Sequence, residues 1–205
     1  MRKLIFGLCT LIQVLVPVAA HSAARLYALE PAHTTVSFEV KSFGIAKQRG
    51  VFDEAAGTGS LDPNGKDGLV DILVNARSVH TGEAAVQTFL RGSSFLNVEQ
   101  FAEIAYRANR VVFLNGKPAQ IDGRLTLLGV SREVTLTVSD YSCQEGLGSC
   151  LLNATATFRR SEFGMSRYIG LVSDEVKLEI HSVTKELPAA DTRTLTASAV
   201  TSRDP

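Results

Sequence analysis

Side chains able to do chemistry are few in this 205-residue chain, and they are scattered. Beyond residue 24 the histidines are His33, His80 and His181, with no spacing that links them. There is no G-x-S-x-G nucleophile elbow and no H-E-x-x-H zinc helix. Ser182 and Lys185 satisfy S-x-x-K, but the companion motifs of that chemistry are missing. Glu162 and Asp174 are separated by a loop that could bring them together, yet nothing marks them as a paired-carboxylate site. DPNGKDG at 62–68 loosely resembles a calcium loop. Its twelfth position counted from Asp62 is Leu73, where such a loop needs glutamate, so the stretch reads as a hairpin turn. No catalytic constellation is legible in these residues.

The remaining reactive pair is Cys143 and Cys150, and its chemistry depends on compartment. Arg2 and Lys3 precede an apolar run from Leu4 to Val18 that Gln13 and Pro17 interrupt. Ala19, Ala20, Ser22, Ala23 and Ala24 follow. This is the layout of a cleaved signal peptide, too short and broken for a membrane span. Cleavage is expected after Ala24, with Ala20 as the alternative. Cys9 lies inside the apolar run, and FGL before it lacks the small residue of a lipoprotein site. Removing residues 1–24 takes away two of the 21 basic residues and no acidic one, which leaves a net charge of −2. That balance offers no basic face for nucleic acid. In an exported chain the two remaining cysteines read as a disulfide. The eight-residue loop it closes is worth about 2.5 kcal/mol by loop entropy. No second ligand pair lies near them at zinc spacing.

Most of the chain alternates apolar and polar residues with period two. Val36, Phe38, Val40 and Ser42 share one face of a strand, and Val70, Ile72, Val74 and Ala76 share one face of another. A strand is expected over roughly 49–61, and Asn115-Gly116 marks a hairpin. With Leu26–Glu30 and the later runs 103–113, 119–129, 132–143, 150–160 and 173–180, about eight or nine strands result. Most are one-sided and joined by short connections, so the sheet is antiparallel, in a single domain over 25–187. A sandwich or a barrel would satisfy that pattern. Many of the apolar faces carry only modest side chains, Gly123, Ala154 and Ala156 among them. They would leave a cavity, or the ten phenylalanines would fill it. The tail 188–205 is small, polar and expected to be disordered.

One stretch breaks the period. EAAVQTFLRGSSFLN, 83–97, places Val86, Phe89 and Leu90 on the stripe of a short helix. Thr81 is positioned to cap it, Glu83 complements its dipole, and Gly92 ends it.

Four stretches together resemble the YceI-like family of periplasmic polyisoprenoid-binding proteins. They are YALEPAHTTVSFEVKSFGIAKQRGVF (27–52), ARSVHTGEAAVQTFLRGSSFLNVEQFAEIAY (76–106), IDGRLTLLGVSREVTLTV (121–138) and FRRSEFGMSRYIGLVSDEVKLEI (158–180). The resemblance implies an all-β, lipocalin-like antiparallel barrel of about eight strands, with one or two short helices at its mouth. It implies a periplasmic location and an interior that takes the apolar tail of a polyisoprenoid, an isoprenoid quinone or a similar lipid. No enzyme activity, metal or required cofactor is implied. Family associations also suggest a cytochrome b561-type membrane partner, and exposed barrel edges would permit a homodimer.

On this reading the cavity takes Val36, Phe38, Val40, Ser42, Ile72 and Val74 from early strands, and Leu127 and Phe158 from later ones. Val86, Phe89 and Leu90 turn inward from the helix. Phe95 and Phe101 extend the rim, and Phe163 and Met165 of the FGM loop contribute adaptable contacts. Two positions depart from the family pattern. Ser42 and Phe89 stand where many members carry histidine, which makes the site less polar and less basic. Two other readings remain: an accessory of quinone redox chemistry, and a closed barrel with a filled interior and a structural or stress-related role.

Overall fold

The computed structural model describes residues 25–61, 68–144, 146 and 148–188. The expected signal peptide, the hairpin turn expected at 62–67 and the tail expected from 188 onward, beyond its first residue, lie outside the described residues.

Eleven strands run antiparallel in one sheet: β1 Arg25–Leu29, β2 Thr35–Ser42, β3 Ala46–Phe52, β4 Ala55–Leu61, β5 Gly68–Asn75, β6 Val79–Thr81, β7 Glu103–Leu114, β8 Lys117–Leu127, β9 Val130–Gln144, β10 Ser149–Arg159 and β11 Glu175–Glu186. They make eight staves, because three staves are each broken in two. β11 pairs with β1 through Leu29↔Thr184 and, further along, with β2 through Phe38↔Leu178. β1 in turn pairs with β4, and β2 with β3; β4 pairs with β5, and β3 with β6. From β5 the ladder continues β7-β8-β9-β10-β11 and closes on β1. The result is a closed eight-stranded barrel.

The breaks have local causes. Pro31 opens a 3-10 turn, Pro31–His33, and has no N–H to give to a ladder. The strand expected over 49–61 is two strands, split at Asp53 and Glu54. There Asn75 N donates to Glu54 O at 2.9 Å, Glu54 N donates to Ser78 Oγ at 3.2 Å, and Asn75 Nδ2 reaches the Glu54 carboxylate at 2.7 Å. Neither half is displaced to the wrong face: Phe52 and Ala55 are both buried.

β6 pairs only with β3, so the wall is unfinished between β6 and β7. The helix α1, Ala84–Arg91, and the segment 92–102 fill that place. Arg91 Nη2 donates to Arg77 O at 2.8 Å and Val79 O at 3.0 Å, which ties the helix to the stave beneath it. Leu96 N donates to Leu90 O and Val98 N to Arg91 O, and both side chains are buried in the core. The capping differs from expectation. Thr81 Oγ1 bonds Glu83 O at 2.8 Å and does not reach the helix N–H groups, and Glu83 occupies the cap position without a side-chain bond. Gly92 ends the helix, but in an extended conformation with φ −71°.

Two ends follow from this topology. The mouth end gathers the β2–β3 turn at 43–45, α1, the β8–β9 turn at 128–129 and the long connection 160–174. The far end carries the β7–β8 turn at 115–116 and the β9–β10 turn. Cys143 and Cys150 are direct cross-strand partners there and are joined as the expected disulfide.

Candidate ligand-binding cavity

The barrel is not filled. A cavity of about 210 Å³ runs through it, from Tyr27, Thr58, Tyr141 and Cys150 at the far end to Leu90, Phe95 and Met165 at the mouth. That is on the order of fifteen times the space one water needs, so it is no packing defect. Alternation builds the wall. Val36, Phe38 and Val40 of β2, Ile72 and Val74 of β5, Leu127 of β8 and Phe158 of β10 all face it.

A shallower cleft of about 70 Å³ opens beside it, lined by Ser42, Val86 and Phe89 and sharing Phe38, Val40, Leu90, Phe95 and Val172 with the main cavity. The helix stripe is therefore divided. Leu90 reaches the lumen, while Val86 and Phe89 line only the cleft. Phe89 is 46% exposed and packs on Phe95 and Tyr168 at ring distances of 5.0 and 5.4 Å.

Two expected residues lie elsewhere. Phe163 is buried behind the wall, edge-on to Phe158 at 5.2 Å, because the 3-10 turn Arg160–Phe163 rotates it into the core. Phe101 sits against the β8–β9 turn, where a Cβ on Gly129 would lie 3.3 Å from its ring. It is a packing residue of that turn, outside both cavities. Of the small residues expected to leave space, Gly123, Ala154 and Ala156 do not line the lumen themselves.

Bare backbone under an aromatic ring makes the room. Phe38 lies over its cross-strand partner Gly50, so close that a Cβ there would sit 2.4 Å from Cζ. Tyr106 lies over Gly123 in the same manner and carries its hydroxyl to Ile121 O at 2.9 Å and Val134 O at 3.0 Å. Both rings spread along the wall where they would otherwise cross the lumen.

Among the described residues Arg160 is the one charged side chain in the lining, and it is 2% exposed. Its guanidinium donates to Ser173 O at 2.9 Å, Arg167 O at 2.8 Å, Val172 O at 3.0 Å and Met165 O, and its Cζ stands 5.6 Å from the Phe95 ring centroid. Burial lowers its pKa, and the Asp174 charge works against that. Desolvation pushes the Asp174 carboxyl up, but hydrogen bonds from Ser161 Oγ and N and the charges of Arg160 and Arg159 outweigh it and hold the group below its ordinary value. Desolvation, then the Asp122 charge, raises the Tyr106 hydroxyl far above an ordinary phenol, and burial raises Tyr141 as well. Tyr106 and Tyr141 are thus held neutral in the lumen, and its one cation gives its donors to the backbone.

The scattered chemistry stays scattered. His33 approaches Glu30 at 3.3 Å, His80 approaches Asp53 at 2.7 Å, and His181 bonds Asn153 at 2.5 Å, each at a separate place. Ser182 is buried and donates to Leu152 O at 3.1 Å. Lys185 lies three positions on in the same strand, which puts it on the opposite face.

This architecture matches a known family. A family model described as the YceI-like domain fits residues 27–184. The chain belongs to the YceI-like family. A UPF0312 protein of Shewanella sp. (strain W3-18-1) is 28% identical over 186 residues, covering 88% of this chain and 96% of its own. Burkholderia cenocepacia BcnA superposes with a TM-score of 0.64 at 19% identity, over 76% of this chain and 98% of that one. A polyisoprenoid binding domain from Saccharophagus degradans, implicated in plant cell wall breakdown, superposes with a TM-score of 0.59 at 12% identity, over 78% and 98%. At these identities the solved structures share the YceI-like barrel fold with this chain.

Within that barrel Ser42 and Phe89, where the resemblance implies histidine in many relatives, fall together. Both line the cleft at the mouth. Sequence reasoning missed Tyr106, Leu96 and Arg160. Tyr106 was legible from its place in the alternation of β7. Arg160 was not, because its burial depends on carbonyls supplied by residues five to thirteen positions later.

Proposed function

We propose that this protein is a periplasmic carrier that encloses the apolar tail of a lipid in the barrel lumen, with polyisoprenoids or isoprenoid quinones as the ligand class. The observation that carries this reading is the cavity itself: long, continuous with a cleft at the mouth, and lined by one charged residue whose donors are already engaged. Strands of eleven or twelve residues tilted as barrels require give an axis of roughly 30 Å, a shape suited to a chain. Each buried methylene contributes about 0.8 kcal/mol, so a five-carbon isoprene unit contributes about 3–4 kcal/mol before ordering costs. A few units bind tightly without a polar anchor, which agrees with a mouth bearing Ser42 and Phe89. The polyisoprenoid-binding description of the Saccharophagus relative supports the same class of ligand.

The lining favours carriage over turnover. Burial drives Tyr106 and Tyr141 away from ionisation, and the cavity has no nucleophile paired with a base among the described residues. No cofactor is required on this reading.

The test is mass spectrometry of a solvent extract of protein purified from the periplasm. A stoichiometric polyisoprenoid or quinone is expected. A quinone whose redox state changes in the presence of a cytochrome b561-type protein would favour the redox-accessory alternative. An empty extract, with added polyprenol also failing to bind, would return the protein to a closed structural barrel.

A further inference from the structure

Nine large apolar side chains are exposed among the described residues, and six of them belong to the mouth end: Phe43 and Ile45 on the β2–β3 turn, Phe89 on α1, and Tyr168, Ile169 and Leu171 before β11. They form one group. Phe43 N donates to Leu171 O at 2.6 Å, and the Phe89 and Tyr168 rings are 5.4 Å apart. The cleft that shares Val40, Leu90 and Phe95 with the lumen opens among them.

The turns show that this exposure is built in. At the far end Asn115-Gly116 is left-handed at both positions, with φ 52° and 75°, and carries the residues such a turn prefers. At the mouth Phe43-Gly44 has the same φ values, 52° and 76°, with a bulky aromatic where a side chain is least welcome. Phe43 is 72% exposed, so no core packing compensates. Tyr168 repeats the pattern with φ 60°. Leu128, with φ 53°, differs in being packed against the core.

Charge follows the same geography. The mouth segments 40–50, 83–91 and 160–174 carry Lys41, Lys47, Arg49, Arg91, Arg160 and Arg167 against Glu83, Glu162 and Asp174, in a chain with 21 of each sign. Lys47 and Arg49 pair with Glu39 and Glu179 lower on the wall, and Arg167, which has no acidic partner among the described residues, reaches Ser94 Oγ at 3.2 Å.

We propose that the mouth end docks on a bilayer surface bearing anionic phospholipid. Phe43, Ile45, Ile169 and Leu171 enter the interface, and Lys41 and Arg167 meet headgroup phosphates. The lumen then opens toward the acyl region, and a lipid tail passes between bilayer and barrel without crossing water. The role in transfer rests on the carrier reading above; the docking surface is a separate claim. A second copy on the same face would seal the mouth and set basic segments against basic segments, so the bilayer is the favoured occupant.

The test is co-sedimentation of the full chain with vesicles of phosphatidylglycerol and phosphatidylcholine, and with phosphatidylcholine alone. Binding is expected to the anionic vesicles and to fall with salt. Phe43→Asn combined with Ile45→Ser should lower the partition about tenfold or more, since apolar area sets the depth of insertion. Phe43→Asn alone should keep or raise Tm, because asparagine suits that turn. Leu114→Ser, at the exposed far end, should leave partition unchanged. The double variant should still capture detergent-dispersed polyprenol as the parent does. Capture of polyprenol without vesicle binding, or vesicle binding indifferent to the double variant, would overturn the docking surface. So would a dimer that the double variant splits while neither form binds vesicles. Vesicle binding without polyprenol capture would overturn the carrier reading and leave the docking surface standing.

Discussion

The Tyr106 ring occupies the space that a side chain on Gly123 would need: a Cβ there would lie 2.7 Å from Tyr106 Cζ, 2.7 Å from Arg107 O and 2.8 Å from Ala108 Cβ. Two of those neighbours belong to the wall itself and cannot swing aside. Gly123→Ala is therefore expected to destabilise the barrel by about 1–3 kcal/mol, and Gly123→Val by more. Urea midpoints at constant m-value measure this. A neutral Gly123→Ala would mean that Tyr106 is free to leave the wall.

Arg160 gives the 160–174 connection its shape, since four of that segment's carbonyls point at one guanidinium. Arg160→Met keeps the length and removes every donor. A loss of about 3 kcal/mol or more is expected, because hydrogen bonds to charged groups are worth about 1.5–3 kcal/mol each and the acceptors are left partly buried. Amide exchange across 164–173 should accelerate more than exchange in β8 or β9. Uniform acceleration would deny Arg160 its local role.

Asp174 gives the same segment a pH dependence. Its folded pKa lies below the ordinary carboxylate value. Its contribution is therefore present above the unfolded pKa, near 3.9, and is lost as pH falls through the folded value. Asp174→Asn should lower stability at neutral pH and flatten the decline of stability below about pH 4. An unchanged acid limb would show that Ser161 is held by other means.

Much of the barrel was legible in sequence because alternation follows directly from the pleat. Val36, Phe38 and Val40 are placed by it, as are Ile72 and Val74, and all five line the lumen. The breaks in the staves were not legible, because those at Glu54 and Ser78 depend on partners more than twenty residues apart. The helix stripe was read correctly as apolar, but periodicity does not say that Phe89 meets Tyr168 at the surface while Leu90 alone enters. Phe163 was misplaced because one turn of 3-10 helix is enough to reverse a side chain's face. Whether the lumen would be filled or open was undecidable from composition. It turned on whether aromatic rings point inward or lie on glycines, and Gly50 and Gly123 settle that through contacts between strands.

An open lumen makes a prediction that separates the tail from the mouth. Val36, near the start of β2, pairs with Ile180 midway along β11, lines the cavity and is not part of the cleft. Val36→Trp should fill the lumen at about 1–3 kcal/mol of overpacking cost or less, since there is space to receive the ring. Affinity for long polyprenols should then fall toward that of a short one, because units beyond the block no longer bury. In the parent, shortening the chain one isoprene unit at a time should weaken binding stepwise until the tail no longer fills the lumen. Titration of a polyprenol length series against both proteins gives the two curves. A steep parent curve and a flat variant curve place the tail inside the barrel. Parallel curves would put the lipid on the outside, at the mouth, with the lumen playing no part in binding.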